Sequence, residues 1–134
     1  MTAEDAVRHL LALYPARHDV RDVEGYVALF AANGAFVGGN ARHEGRGAIR
    51  EFITATYASQ AAERRTKHLC GNSLIEIRGA EATAETDFVA YERYGAEPWR
   101  IHTIGRYHDR LVLENGQWLF LERRVATIGS STPR

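Results

Sequence analysis

Asp19 and His68 stand forty-nine positions apart, and their types suit a proton-handling pair. A histidine whose pKa is near the ordinary value of about 6.5 accepts a proton at neutral pH and returns it. An adjacent carboxylate fixes the ring's tautomer and favours the imidazolium once the proton has arrived. Each residue also has a plainer reading. A strand histidine can be a hydrogen-bonded wall residue, and Asp19 can cap a helix end or pair with Arg17 or Arg21. His18 adjoins Asp19, but neighbours on a helix do not face each other, so His68 is the expected partner.

The remaining chemistry-bearing residues give weaker patterns. Asp109 can act as a pocket acid, although a structural pair with Arg123 or Arg124 on the following strand is the preferred reading. Six histidines are present without an H-x-H or H-x-x-x-H spacing, which argues against a metal site. No G-x-S-x-G, P-loop or dinucleotide fingerprint occurs. Cys70 is the only cysteine; it excludes an intramolecular disulfide and is expected to be a small buried spacer. Seventeen basic and seventeen acidic residues cancel, so no global field attracts nucleic acid or anionic lipid. No apolar run approaches the roughly 20 residues of a spanning helix, and the N-terminus is acidic where a secretion signal would be basic. A cytoplasmic location is the expectation.

Elements that position these residues follow from periodicity. Thr2 and Asp5 form a capping-box pattern before Val7, Leu10, Leu11 and Tyr14, an amphipathic first helix. Pro15 should kink or end it near Tyr14. Asp22 caps a second helix with Val23, Tyr26, Val27 and Phe30 on one face, and Asn33-Gly34 closes it. A short strand, Ala35 to Val37, precedes a loop running to Gly47, and Ile49, Phe52, Ile53 and Tyr57 mark a third helix. The period then changes from 3.6 to 2. Four long strands are predicted, Thr66 to Arg78, Ala82 to Tyr94, Trp99 to Glu114 and Gln117 to Thr127, with Asn115-Gly116 as the strongest hairpin turn. Helices first and an antiparallel meander afterwards mean an α+β fold with the helices on one face of a curved sheet. The domain is expected to span residues 1–128, with 129–134 as a loose tail.

Alternation along the third long strand puts Ile101, Thr103, Gly105, Tyr107, Asp109, Leu111 and Leu113 inward and His102 and His108 outward. On the second long strand neither Asp87, Val89 and Tyr91 nor Thr86, Phe88 and Ala90 is clearly apolar, so pattern leaves its inner face open. In the first, Ile75 and Ile77 have the opposite parity to His68, and a bulge at Gly71-Asn72 would reconcile them. Phe30, Phe52, Trp118 and Phe120 read as core or cavity lining.

Five strings carry a family resemblance: His18 to Ala31 (HDVRDVEGYVALFA), Gly45 to Phe52 (GRGAIREF), Thr66 to Asn72 (TKHLCGN), Gly105 to Leu111 (GRYHDRL) and Asn115 to Arg124 (NGQWLFLERR). Together with the element order they resemble the cone-shaped NTF2-like superfamily, in its SnoaL-like branch. The resemblance implies three N-terminal helices packed on a strongly curved, mostly antiparallel sheet that encloses a pocket. It is similar in particular to the scytalone-dehydratase and bile-acid-dehydratase type of site, which has an acid at the position of Asp19, a histidine at that of His68 and a tyrosine at that of Tyr14. That type places a further polar group on the second long strand, where Tyr91 or Asp87 is the nearest match. Steroid isomerases of the superfamily carry their base where this chain has Gly38-Gly39, which disfavours that activity.

The implied function is a cofactor-independent dehydratase acting on a small, apolar, hydroxylated carbonyl metabolite of polyketide, terpenoid or steroid-like type. Asp19 and His68 would exchange the proton, and Tyr14 would donate a hydrogen bond to the carbonyl oxygen. Tyr91, Asp87, Phe30, Phe52, Tyr107 and Trp118 would contact substrate. Cyclisation, isomerisation or epoxide opening in the same pocket is one alternative, and a non-catalytic binding or dimerisation domain is another. The resemblance also implies a homodimer through the outer sheet face.

Overall fold

In the computed structural model, which describes residues 1–130, three helices and six strands follow the order α1 (Ala3–Asp19), α2 (Val23–Val27), β1 (Phe30–Gly38), β2 (Ala41–Glu44), α3 (Arg46–Ala58), β3 (Arg64–Arg78), β4 (Glu81–Tyr94), β5 (Arg100–Glu114) and β6 (Gln117–Ser130). The strands form one curved sheet ordered β2-β1-β6-β5-β4-β3. Only β1 and β6 run parallel; every other pair is antiparallel. The α+β meander predicted from the period change is therefore present. Asn115 and Gly116 both have positive φ, 51° and 76°, the backbone a two-residue hairpin between β5 and β6 requires.

Capping sets where the helices begin. Thr2 accepts from the Asp5 amide, and Asp22 accepts from the Gly25 amide. Of the kink or end expected near Tyr14, the end does not occur: the first helix runs through Pro15 to Asp19. Proline there removes one intrahelical hydrogen bond and costs about 3 kcal/mol. Tyr14 buried on one side of it and the Asp19 carboxylate bound to β3 on the other hold the last turn in place. The second helix is shorter than its periodicity suggests. Phe30 already belongs to β1, and Asn33-Gly34 lies within the irregularity between Phe30 and Ala35 where the β1–β6 register shifts. The segment expected as a loop before Gly47 contains β2, which pairs back on β1 across a turn at Gly39-Asn40.

The core lies between the helices and the concave face of the sheet. Val7, Leu10, Leu11 and Tyr14 of α1 meet Tyr26 and Val27 of α2, Ile49 and Ile53 of α3, and Phe120, Leu111 and Tyr107 from the sheet. Burial along β4 shows that the even positions, Ala82 to Glu92, face inward, which pattern alone left open. Gly105 sits opposite Phe88, whose ring lies across its backbone. A Cβ on Gly105 would come within 2.7 Å of that ring and 2.8 Å of the Ala126 carbonyl, so only glycine allows the crossing. Gly129 and Ser130, expected in the tail, continue β6 opposite Ile104 and Thr103; residues 131–134 lie outside the described residues. Cys70 is exposed on edge strand β3 rather than buried as a spacer.

Candidate active site

The end of α1 and the start of β3 bring Asp19 and His68 together. Asp19 Oδ1 lies 2.6 Å from His68 Nδ1 and accepts from the Thr66 hydroxyl at 3.0 Å, while Oδ2 accepts from the His68 backbone amide at 2.9 Å. Both side chains are 11 % exposed. Burial pushes the Asp19 carboxyl up, but the hydrogen bonds from the His68 ring and amide and from Thr66 outweigh it and hold the group below the usual carboxylate range. Arg17 and Arg21, the alternative partners, donate instead to the backbone carbonyls of Gly25 and Arg64. With Asp19 accepting the Nδ1 proton, His68 Nε2 is left as a base. The β3 bulge sets this orientation: the register with β4 shifts between Cys70 and Ser73, so Thr66 and His68 share the inner face with Ile75 and Ile77.

His68 lines a cavity of about 240 Å³ between the helices and the concave sheet. Tyr14, His18, Tyr57, Phe88 and Tyr107 form its inner wall. Tyr14 and Tyr26 hydroxyls are 2.9 Å apart. Either hydroxyl can be the donor of that bond; with Tyr26 donating, the Tyr14 proton is left to point at a ligand. Burial raises the Tyr14 hydroxyl to about 12, against the opposing pull of the Arg123 guanidinium 4.2 Å above its ring. Tyr14 thus stays a donor at neutral pH.

A second polar group closes the other end. Glu92, 3 % exposed, accepts from Arg64 at 2.9 Å and Arg100 at 2.8 Å, and His102 Nδ1 lies 3.7 Å away. Arg64 and His102 both reach the cavity. His102 was expected on the outer face. The pairing of β4 with β5 shifts there, from Ala90 opposite Thr103 to Tyr91 opposite Ile101, so His102 is an extra residue and the alternation inverts. His108 does face outward, 3.4 Å from Glu85.

Of the expected substrate contacts, Tyr107 lines the cavity and the others do not. Asp87 projects from the opposite face of β4 and pairs with Arg106 at 2.8 Å. Tyr91 shares that odd-numbered face. Phe30 and Trp118 are core residues, and Phe52 stacks on Phe36 and His43. Asp109 forms the structural pair foreseen with Arg123, two hydrogen bonds of 2.9 and 3.1 Å between side chains that are 0 and 1 % exposed. Sequence reasoning missed His18, Tyr57 and Glu92 as site residues. His18 stands four residues beyond Tyr14 on one helix face, and Tyr57 continues the Ile49–Ile53 row, so helical spacing held the signal for both.

The SnoaL-like domain family matches residues 1–124. This chain belongs to the SnoaL-like family. No curated protein matches the sequence. Among solved structures, a protein of unknown function from Mycobacterium tuberculosis is similar, with 30% identity and a TM-score of 0.82 over 91% of this chain and 69% of that one. A candidate scytalone dehydratase from Novosphingobium aromaticivorans is 25% identical, with a TM-score of 0.84 over 98% of this chain and 87% of the other. ActVI-ORFA from Streptomyces coelicolor, at 18% identity, has the same fold with a TM-score of 0.84 over 93% and 96% of the two chains. The chain shares with these neighbours the α+β architecture of N-terminal helices packed on one curved sheet. No helix among the described residues is long and apolar enough to cross a membrane.

Proposed function

We propose that the protein is a dehydratase of small hydroxylated carbonyl compounds. The observation that carries this reading is the 2.6 Å contact between Asp19 and His68, with the remaining ring nitrogen free on the wall of a cavity lined by aromatic rings and polar side chains. His68 Nε2 takes a proton from the carbon beside the carbonyl, and the electrons of that C–H bond form the enolate. The Tyr14 hydroxyl donates to the developing oxyanion. As the enolate collapses, the bond to the β-hydroxyl breaks, and the imidazolium returns the proton to the departing oxygen, giving water and an unsaturated carbonyl product. Asp19 stabilises the imidazolium between the two steps. The chemistry of this scheme calls on no cofactor.

Likeness to the candidate scytalone dehydratase supports the same reading. The cavity of about 240 Å³ suits a compound of one or two rings. Turnover of a panel of cyclic β-hydroxy ketones, followed as the rise in enone absorbance, tests the proposal. Dehydration by the wild type and none by His68→Ala is expected; rearranged products with no dehydration of any member would favour the isomerase or cyclase alternative.

A homodimer through the outer sheet face is part of this proposal. Leu69, Val89 and Ile104 face one another across β3, β4 and β5, with Ile128 of β6 beside them, and Leu69 and Ile128 are more than half exposed. Such a groove is an apolar surface that a second copy would cover. Light scattering should give about twice 15.0 kDa; particles of the single-chain mass would contradict it.

A further inference from the structure

We propose that His18 is a second catalytic residue, donating a hydrogen bond from Nε2 to the substrate oxygen on which negative charge develops. The inference rests on the cavity reading above and extends it by a donor that the Asp19–His68 pair does not supply.

Three observations converge on it. First, a proton stands behind the ring. His18 Nδ1 lies 2.8 Å from the Tyr57 hydroxyl. Burial raises the pKa of that phenol, aided by Tyr14 and Asp19, so Tyr57 keeps its proton and, in this proposal, donates it to Nδ1. A nitrogen that accepts leaves the hydrogen on the other one, so Nε2–H is the group His18 offers. Second, that group is uncommitted: the ring lines the cavity, and Nε2 has no protein partner among the described residues. Third, the ring lies against the base. His18 and His68 centroids are 4.7 Å apart at 41°, and the Tyr14 ring is 5.7 Å from that of His18.

The two imidazoles therefore hold opposite tautomers for separate reasons. Asp19 draws the His68 proton to Nδ1 and bares Nε2; Tyr57 fills His18 Nδ1 and leaves the proton on Nε2. Side by side they present one acceptor and one donor, which is the pattern of a C–H beside a carbonyl. His18 also stays uncharged, because burial and the neighbouring His68 lower it to about 3. A neutral imidazole is a donor that does not hand over its proton prematurely and does not repel the imidazolium forming beside it. A purely structural His18 would need its contact with Tyr57 and nothing from Nε2.

Two measurements on the full chain test this without requiring turnover. Long-range proton–nitrogen correlation spectra of histidine-labelled protein should show His18 protonated at Nε2 only, unchanged down to pH 5, with a mixture of tautomers in Tyr57→Phe. A proton on Nδ1, or titration of His18 near pH 6.5, would overturn the proposal. Binding of 4-nitrophenol, whose ionised form mimics an enolate and has its own absorbance, reads the donor directly. The wild type should bind the phenolate, His18→Gln should retain binding to within a few-fold by supplying an amide N–H, and His18→Leu should lose about ten- to a hundredfold. Equal phenolate binding by His18→Leu and wild type, with both folded to the same Tm, would refute it. Were the hydroxy ketone panel to fail while both measurements held, the dehydratase reading would fall and the donor would stand.

Discussion

Two carboxylates, Asp19 and Asp109, each hold a basic side chain across the concave face of the sheet, and they are used in opposite ways. Asp109 meets Arg123 through two hydrogen bonds in a fully enclosed site, and the guanidinium is further packed on the rings of Tyr107, Tyr14 and Phe120 at 3.6, 4.2 and 4.6 Å. Asp19 meets a histidine at the edge of a cavity, uses its second oxygen on the backbone, and leaves one ring nitrogen facing open space. An arginine stays charged throughout the accessible pH range, so the first pair fixes packing. A histidine changes charge near neutrality, so the second pair can move a proton. Both are close carboxylate–base contacts, one fully and one partly buried; the partner type and the cavity separate structure from chemistry.

The comparison can be broken from either side. The largest effect is expected for His68→Ala, which should reduce turnover by about 10²–10⁴-fold, the range for loss of a general base, while thermal unfolding moves little. On the other side, Asp109→Asn should lower unfolding free energy by about 3–5 kcal/mol in urea titration, because it leaves Arg123 charged and unpaired in the core. Replacing both partners, as in Asp109→Leu with Arg123→Met, should recover much of that loss. Gly105→Ala should cost about 1–3 kcal/mol by forcing Phe88 off Tyr107, whose ring it stacks on at 4.3 Å, and the same urea midpoints would read it.

The smallest effect concerns pH. The folded state holds Asp19 below its unfolded value of about 3.9, so its contribution to stability is complete above that value and is lost as pH falls through the lower, folded one. The stability difference between wild type and Asp19→Asn should shrink as pH falls below about 4. A difference that grew as pH fell below about 4 would mean that the carboxyl is not held ionised by its partners.

Much of the fold was legible because the period changes once, after Tyr57, and because the turn at Asn115-Gly116 is specific. The four long strands fall within two or three residues of their predicted ends. Local signals misled where tertiary contacts outweigh them. Pro15 stays inside a helix because both flanks are anchored, and Phe30 leaves its helical row because β1 recruits it to pair with Phe120. At the site, the Gly71-Asn72 bulge was foreseeable from a glycine and a clash of parity. The His102 bulge has neither, so strict alternation sent that residue to the wrong face. Asp87 and Tyr91 were drawn in by resemblance alone, and burial of the even row of β4 places them on the opposite side.

The central claim is that His68, oriented by Asp19, removes a proton beside a carbonyl. Incubating cyclic β-hydroxy ketones with the protein in D2O and following the carbon beside the carbonyl by NMR tests it most directly. The account predicts deuterium at that carbon in recovered substrate, together with the unsaturated ketone, in the wild type and neither above background in His68→Ala. Exchange or elimination at equal rates in the two proteins would contradict it.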